Sequence, residues 1–314
     1  MLLFLPDDGT GETGMLSSEA MIDLHAHTTY SDGTLTPREL VELAARTGLN
    51  AVAITDHDSV DGLAEGAAAG DELGVQVVPG VEINLEHDRL TVDLLGYFLG
   101  PPPGHEVRTD LAELRGYRDV RNAQILERLR ALGYPVEPEE LAAIAGNGAV
   151  GRPHIGEAMR RRGHVDSITE AFERFLRRGA PAWVDRRRLS LSAAARLVRR
   201  AGGLAVVAHP GIVRTDEAGL AHLVAAAARC GVSGLECYYP AHDDAMVRRC
   251  LALAATHDLV PTGGSDFHGQ TKPDVVLGRA DGGRPVPDAV LDELTARWAR
   301  EQAAREAGAP EPSC

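Results

Sequence analysis

His25 and His27 stand two apart in MIDLHAH, so on a strand both imidazoles leave from one face. Related groups recur where other apolar runs end. Asp56 and His57 follow AVAI, Glu82 follows Pro-Gly in VQVVPGVEI, His209 ends GLAVVAH, and Asp266 and His268 lie in GGSDFHG. Asp32 occupies the loop after the first run, and Asp93 sits inside RLTVDLLGYFL. Imidazole and carboxylate together suit Zn, Mn or Fe, and this many donors exceeds the need of one ion. Paired ions about 3.5–4 Å apart, bridged by a carboxylate, are a recurrent answer to phosphoester hydrolysis. One side lowers the pKa of water, so that a metal-bound hydroxide is the nucleophile; the other neutralises charge on the phosphoryl and leaving oxygens. A lone strand histidine is ordinarily a packed or surface residue. The pair on one face, with partners at other strand ends, makes the joint metal reading the stronger one. His87, His105, His164, His222, His242 and His257 lie outside the cluster and are read as ordinary residues.

Convergence of such distant residues requires strand ends that share a rim. From 21 to about 98 the chain alternates short apolar runs with helical patterns: strands at 21–27, 51–55, 75–83 and 89–99, a helix opened by Thr36-Pro37, and an Ala-rich helix capped by Ser59 and ending at Gly74. Repeated β-α-β units predict a parallel sheet or barrel with function at the carboxyl ends of its strands. PPPG at 101–104 interrupts this rhythm, and 105–188 reads as helices at 110–132, 138–145, 152–162 and 167–178. Alternation resumes with strands at 203–210, 234–239 and 259–269 and helices near 216–230 and 242–257. One amphipathic helix follows 286. The expected organisation is a disordered leader over 1–20, a barrel over 21–100 and 191–285, a helical insertion or lid over 101–190, and a C-terminal helix and tail over 286–314. Met21, directly before the first motif, is an alternative start.

The formal charge of -14 argues against a nonspecific grip on polyanionic nucleic acid, so no stable DNA binding is expected. It leaves room for a small phosphorylated substrate in a local pocket. Lys272 is the only lysine; the other basic residues are arginine, a bias that reads as genome composition. Cys230, Cys237, Cys250 and Cys314 show no CxxC spacing and read as reduced thiols of a cytoplasmic protein. No window approaches the ~18 uninterrupted apolar residues of a membrane span.

The stretch DLHAHTTYSDGTLTPRELVELAARTGLNAVAITDHDSVDGLAE strongly resembles the opening of PHP (polymerase and histidinol phosphatase) phosphoesterases, and PGVEI, AHP and GSDFHG resemble their later motifs. The match spans roughly 21–285 and looks most like the branch of nucleoside 3′,5′-bisphosphate phosphatases and 5′-end RNA exonucleases. This resemblance implies a distorted (β/α)7 barrel with a helical insertion and two or three divalent ions (Mn, Zn or Fe). It implies that His25, His27 and Asp266 hold the first ion, that Glu82 bridges to a second also bound by His209, and that Asp32, His57 and His268 hold a third. Asp93 departs from the histidine usual in this branch. A carboxylate still ligates but is a harder donor, so the reading is a ligand with altered metal preference, against a weakened second site.

GRPHI resembles a branch motif whose Arg and His contact the substrate phosphate, here Arg152 and His154 at the edge of a helix start. RDVRN places Arg118, Arg121 and Asn122 at i, i+3 and i+4 on one helix face, where the branch carries a similar substrate-binding pattern. The arginine runs 160–162 and 186–188 read as solvated charge, Glu236 and Tyr238 as barrel core, and Gly263 and Gly264 as the bend before Asp266. The expectation is hydrolysis of a phosphomonoester on a small nucleotide, extending to short RNA 5′ ends. The alternatives are a histidinol-phosphate-type phosphatase and a non-catalytic metal-binding module; a nucleic-acid-binding protein is weakened by the acidic total.

Overall fold

The computed structural model describes residues 21–145, 150–312 and 314; the leader expected over 1–20 lies outside them. The first part of the chain forms β1 (Met21–Asp23), α1 (Pro37–Thr47), β2 (Leu49–Ile54), α2 (Leu63–Leu73), β3 (Gln76–His87) and β4 (Leu90–Tyr97). Helices α3 (His105–Ala131), α4 (Pro138–Ala145), α5 (Arg152–Arg161) and α6 (Ile168–Ala171) follow, the last running into a π-helical turn at Phe172–Leu176. The chain then returns through β5 (Leu189–Ser190), α7 (Leu191–Arg200), β6 (Leu204–Val207), α8 (Glu217–Arg229), β7 (Gly234–Tyr238), α9 (Asp244–Thr256), β8 (Val260–Gly263), β9 (Val286–Pro287) and α10 (Ala289–Glu306).

The sheet runs β8-β7-β6-β4-β3-β2-β1-β9, with β5 paired to β3. It curls until β1 meets the segment after β8: Leu24 N donates to Gly263 O at 3.2 Å, Asp266 N to His25 O at 2.8 Å and His27 N to Phe267 O at 2.9 Å. Seven strands therefore make a nearly closed barrel, and β9 lies outside it, antiparallel to β1. Gly264 permits the closure, since a Cβ there would stand 2.4 Å from the backbone nitrogen and the Cβ of His25.

The parallel rule fails at one strand. β4 is antiparallel to both β3 and β6, because β3 and β4 are joined by a two-residue hairpin rather than a helix. His87 pairs with Leu90, and the two residues between, Asp88 and Arg89, hold φ of 47° and 66°. Positive φ at both central positions is the turn whose twist suits adjacent antiparallel strands. The signal was masked in sequence because Asp-Arg replaces the usual Asn-Gly.

Local chemistry explains most element boundaries. Thr36 and Glu39 form a reciprocal capping box with Pro37 in the first turn of α1. Ser59 does not cap α2, which begins at Leu63 behind Gly62. Residues 56–59 are committed to a turn in which Asp58 has φ 52° and donates its N–H to Glu82 O at 2.9 Å. Helix α7 carries no strong breaker before it and escapes the sequence reading; Ser190 caps it through its side chain.

Side chains alternate between two layers. Val52, Ile54, Ile83 and Leu94 face the helices, whereas Ile22, Leu24, Ala51, Ala53, Leu95 and Val206 fill the barrel with Leu291 and Leu294 of α10. Each fully buried aliphatic contributes roughly 1.5–3 kcal/mol, which offsets the polar burial at the site. Helices α3–α6 enclose a small core of their own around Ile125, Leu129, Ile155, Met159 and Leu176. Among the described residues no helix is long and apolar enough to cross a membrane. The cysteine expectation is corrected in part: Cys230 at the end of α8 and Cys314 in the tail are joined as a disulfide, with Cα atoms 4.8 Å apart. They lie 84 residues apart in sequence, so only the return of the tail brings them together. Cys237 and Cys250 are free and buried.

Candidate metal centre

All nine residues singled out as ligands gather at one rim of the barrel, most of them in the loops that follow the parallel strands, with Glu82 from within β3 and Asp93 from within the antiparallel β4. His27, Asp32, His57 and His268 offer ligand atoms within 4.8 Å of one another; so do His25, His209 and Asp266; His25, His27 and Glu82; and Glu82, Asp93 and His209. The sets overlap through His25, His27, Glu82 and His209, so the cage is continuous rather than three separate sites. His27 reaches both the Glu82 side and the Asp32 side. Glu82 lies at the middle, with Oε2 3.2 Å from His27 Nε2, 3.1 Å from His57 Nδ1 and 3.5 Å from His25 Nε2, and Oε1 3.0 Å from His209 Nε2.

The outer contacts aim these groups. Glu236 Oε1 accepts from His25 Nδ1 at 2.9 Å, which turns Nε2 inward, and its Oε2 accepts from the His209 backbone N–H at 2.6 Å. His268 Nδ1 donates to Asp266 O at 2.8 Å. Asp56, placed near the cluster by sequence, serves as an anchor: it accepts from Thr28 N, Thr28 Oγ1 and Ser31 Oγ at 2.8, 2.7 and 2.6 Å. Asp23 ties β1 to the Asp266 loop, accepting from the N–H groups of His25, Ser265 and Gly278. Such partners of metal-binding histidines fix tautomer and ring orientation. Two of the candidate ligands also hold strained backbones, His209 at φ 26° and Asp266 at φ 56°. Strain of this kind persists where the surroundings over-determine it, and it concentrates at functional sites.

The cage fits divalent ions better than it fits itself. His25 Nε2, His27 Nε2, Asp32 Oδ1, His57 Nδ1 and His209 Nδ1 are buried with no hydrogen-bond partner among the described residues. Each such group costs about 1–3 kcal/mol unless something compensates it, and imidazole nitrogens facing carboxylates suit Zn, Mn or Fe. Charge compensation is already visible. Burial would pull His27 down, but Asp266 and Glu82 raise it to about 9; His209 is raised likewise to about 9 by Glu82. Burial would raise Glu82 and Asp32, yet the surrounding imidazoles hold both carboxyls well below their ordinary range. Asp93 Oδ1 accepts from Asn84 Nδ2 at 2.7 Å, its cross-strand partner on β3, which explains an acid inside an apolar strand. Lys272, given no role in the sequence reading, donates to Asp266 Oδ2 at 2.6 Å; Tyr239 Oη donates to the same oxygen at 3.0 Å.

Beside the cage stands a wall of guanidinium groups. Arg118 of α3 is buried and pairs with Asp58 at 2.6 Å. Arg121 and Asn122 are also buried on α3; the Asn122 amide donates to Val150 O at 2.7 Å, whereas Arg121 makes no hydrogen bond or ion pair among the described residues. Burial and the neighbouring Arg152, Arg118, Arg186 and Arg188 push Arg121 down to about 8. Arg152 donates to Leu176 O at 3.1 Å and lies 5.6 Å from the centre of the Phe172 ring. His154 Nδ1 accepts from Gly151 N at 3.0 Å at the start of α5, and burial lowers its pKa. A cavity of about 460 Å³ joins the two halves: Asp93 and His209 line one end, and Arg152, Arg177, Arg178, Arg188 and Arg214 line the rest with Phe172 and Trp183. Arg118, Arg121, Asn122 and His154 lie outside that lining.

Two sequence readings are revised here. Arg186 and Arg188 are not solvated: their side chains are only 7% and 10% exposed, and both donate to Asn84 Oδ1 at 2.8 Å. Glu236 is buried, but as the anchor of two ligands rather than as passive core. The signal for Glu236 was an acid inside the apolar run GLECYY, the same anomaly that drew attention to Asp93.

The PHP domain model matches residues 23–178. The chain is 32% identical over 292 residues to the 3′,5′-nucleoside bisphosphate phosphatase of Chromobacterium violaceum, covering 90% of this chain and 99% of that one. It is 33% identical to a 5′-3′ exoribonuclease of Escherichia coli (82% and 88% covered) and 34% identical to the phosphoribosyl 1,2-cyclic phosphate 1,2-diphosphodiesterase of Eggerthella lenta (79% and 94%). Among solved structures, a candidate metal-dependent phosphoesterase of Bifidobacterium adolescentis superposes with TM-score 0.78 at 31% identity, covering 88% of this chain and 96% of that one. A Chromobacterium violaceum protein solved as an amidohydrolase with bound sulfate and no metal gives 0.79 at 30%, covering 88% and 97%. With a histidine and carboxylate cage at the rim of a seven-stranded barrel and relatives matched over most of their length, the chain belongs to the PHP domain family of metal-dependent phosphoesterases.

Proposed function

We propose that this enzyme hydrolyses a phosphomonoester of a small nucleotide of the 3′,5′-bisphosphonucleoside kind, with short 5′-phosphorylated RNA as a further substrate. One observation carries the reading: a single cavity is lined by Asp93 and His209 of the cage at one end and by Arg152, Arg177, Arg178, Arg188 and Arg214 along the rest. Two or three divalent ions (Mn, Zn or Fe) would be held by His25, His27, Asp32, His57, Glu82, Asp93, His209, Asp266 and His268. Ions bound there supply the Lewis acidity that activates water and neutralises phosphoryl oxygens. The protein's own part is orientation. Arg118, Arg121, Asn122, Arg152 and His154 would receive phosphate, Arg152 by the planar fork that suits its oxygens. Phe172 and Trp183 offer flat faces for a base, an interaction worth about 1–3 kcal/mol and tolerant of base identity. Those rings favour a nucleotide over histidinol phosphate or a bare sugar phosphate, and the Chromobacterium and Escherichia relatives are named for nucleotide and RNA substrates, whereas the Eggerthella one is named for a sugar phosphate.

The test is phosphate release by purified protein reconstituted with Mn, Zn or Fe. The substrates are 3′,5′-bisphosphonucleosides, histidinol phosphate, a phosphoribosyl 1,2-cyclic phosphate and short 5′-phosphorylated RNA. The expected ranking puts the bisphosphonucleoside first. A clear preference for either non-nucleotide would overturn the substrate assignment, and no turnover with any metal would favour a non-catalytic module.

A further inference from the structure

Away from the cage, two histidines that sequence alone gives no role meet one aspartate. His87 ends β3, Asp88 is the first residue of the hairpin turn, and His222 stands on α8. His87 Nε2 lies 3.5 Å and His222 Nε2 3.4 Å from Asp88 Oδ2. The two rings are nearly parallel, 18° apart in plane, with centroids separated by 6.3 Å. One ligand atom of each residue falls within 4.8 Å of the others.

We propose that His87, Asp88 and His222 form a second, peripheral binding site for a borderline transition-metal ion of the Zn, Ni or Co class. Bonds of about 2.0–2.1 Å in a tetrahedron put neighbouring ligand atoms roughly 3.3–3.4 Å apart, and both nitrogen–oxygen separations already lie near that edge. His87 Nε2 is buried yet makes no hydrogen bond among the described residues, so its short approach to Asp88 is not an ordinary hydrogen-bonded pair. Two imidazoles and one carboxylate select Zn, Ni or Co over Mg or Ca. His222 is 63% exposed and Asp88 65%, leaving the fourth position open to water and the site accessible from solvent.

The position gives such an ion a structural consequence. Asp88 belongs to a turn in a left-handed conformation whose other residue, Arg89, lines the substrate cavity. Arg89 O accepts from Arg178 Nη1 at 3.2 Å, and the Arg178 guanidinium lies 5.8 Å from the centre of the Trp183 ring. Occupancy ties this turn to α8 and so steadies one rim of the cavity. The site itself stands on geometry alone and does not depend on the substrate assignment.

The experiment titrates ZnCl2 and NiCl2 into chelator-treated full-length protein and counts bound equivalents by calorimetry and elemental analysis. The comparison is wild type against His222→Ala and Asp88→Asn, each also in an Asp266→Asn background that impairs the catalytic cage. His222 is exposed on a helix, and asparagine tolerates the left-handed conformation at 88, so both variants should fold. Wild type and Asp266→Asn should each bind one equivalent more than their His222→Ala counterparts, and Asp88→Asn should weaken that equivalent at least tenfold. Phosphate release by Mn-loaded His222→Ala should match wild type. Equal stoichiometry and affinity with and without His222, in both backgrounds, would overturn the site, as would binding seen only at millimolar ion.

Discussion

Replacing Arg121 by methionine should make the protein more stable and less active at the same time. Arg121 is buried among Arg152, Arg118, Arg186 and Arg188 with no acidic partner of its own among the described residues, and its pKa is pushed down to about 8. Its positive charge therefore costs the free protein energy, and methionine keeps the length and helix propensity while removing the charge. Replacing poorly compensated buried charge by apolar side chains of similar volume stabilises by roughly 1–4 kcal/mol. At roughly 2–4 °C per kcal/mol, that is a rise of several degrees in Tm. If the same charge receives substrate phosphate, its loss removes a charge-assisted hydrogen bond of about 1.5–3 kcal/mol. The corresponding fall in kcat/KM is roughly 10- to 150-fold. Inorganic phosphate gives an independent arm: at 100 times its Kd it should stabilise the wild type by about 2.7 kcal/mol and the variant by clearly less. The assays are thermal unfolding in phosphate-free buffer, the same scan with phosphate, and phosphate release. A variant that is less stable, equally active and equally protected by phosphate would refute the idea that Arg121 is held for an anion.

Glu236→Gln should lower metal affinity roughly 10- to 100-fold by loosening His25 and His209, read by competition with a chromophoric chelator; unchanged affinity would reduce Glu236 to packing. Asp93→His supplies a softer donor and should raise the preference for Zn over Mn roughly tenfold, measured as the ratio of the two dissociation constants. The pH dependence has a defined sign. In metal-free protein, burial would lower His27 and His209, but their carboxylate partners raise both to about 9. The stability they contribute is thus fully present below about pH 6.5 and lost as pH rises through about 9. Urea unfolding of chelator-treated protein should show this fall, while metal affinity rises over the same window because the ligands must be deprotonated. A flat profile for both would contradict the coupling.

Much of the centre was legible because its residues break local rules. Histidines two apart just past the end of β1, acids inside the apolar runs of β4 and β7, and a Gly-Gly before Asp266 are poor choices for a sheet, and each has a reason in the cage or its anchors. The barrel was legible from alternating apolar runs. What escaped depends on partners distant in sequence. Arg186 and Arg188 look like any arginine run until Asn84 meets both and Asp58 meets Arg186. Lys272 gains meaning only when the loop after β8 folds back on Asp266. The reversal of β4 rests on two backbone angles in an Asp-Arg turn that composition does not advertise. The Cys230–Cys314 bond likewise depends on where the tail returns.

The most direct test of the central claim is phosphate release from a 3′,5′-bisphosphonucleoside by protein stripped with chelator and then reloaded. Activity should vanish on stripping, return with Mn, Zn or Fe in the wild type, and fail to return in His27→Ala and Asp266→Asn proteins that remain folded. Turnover that survives complete metal removal, or full activity in both variants, would contradict the assignment of this cage as the catalytic centre.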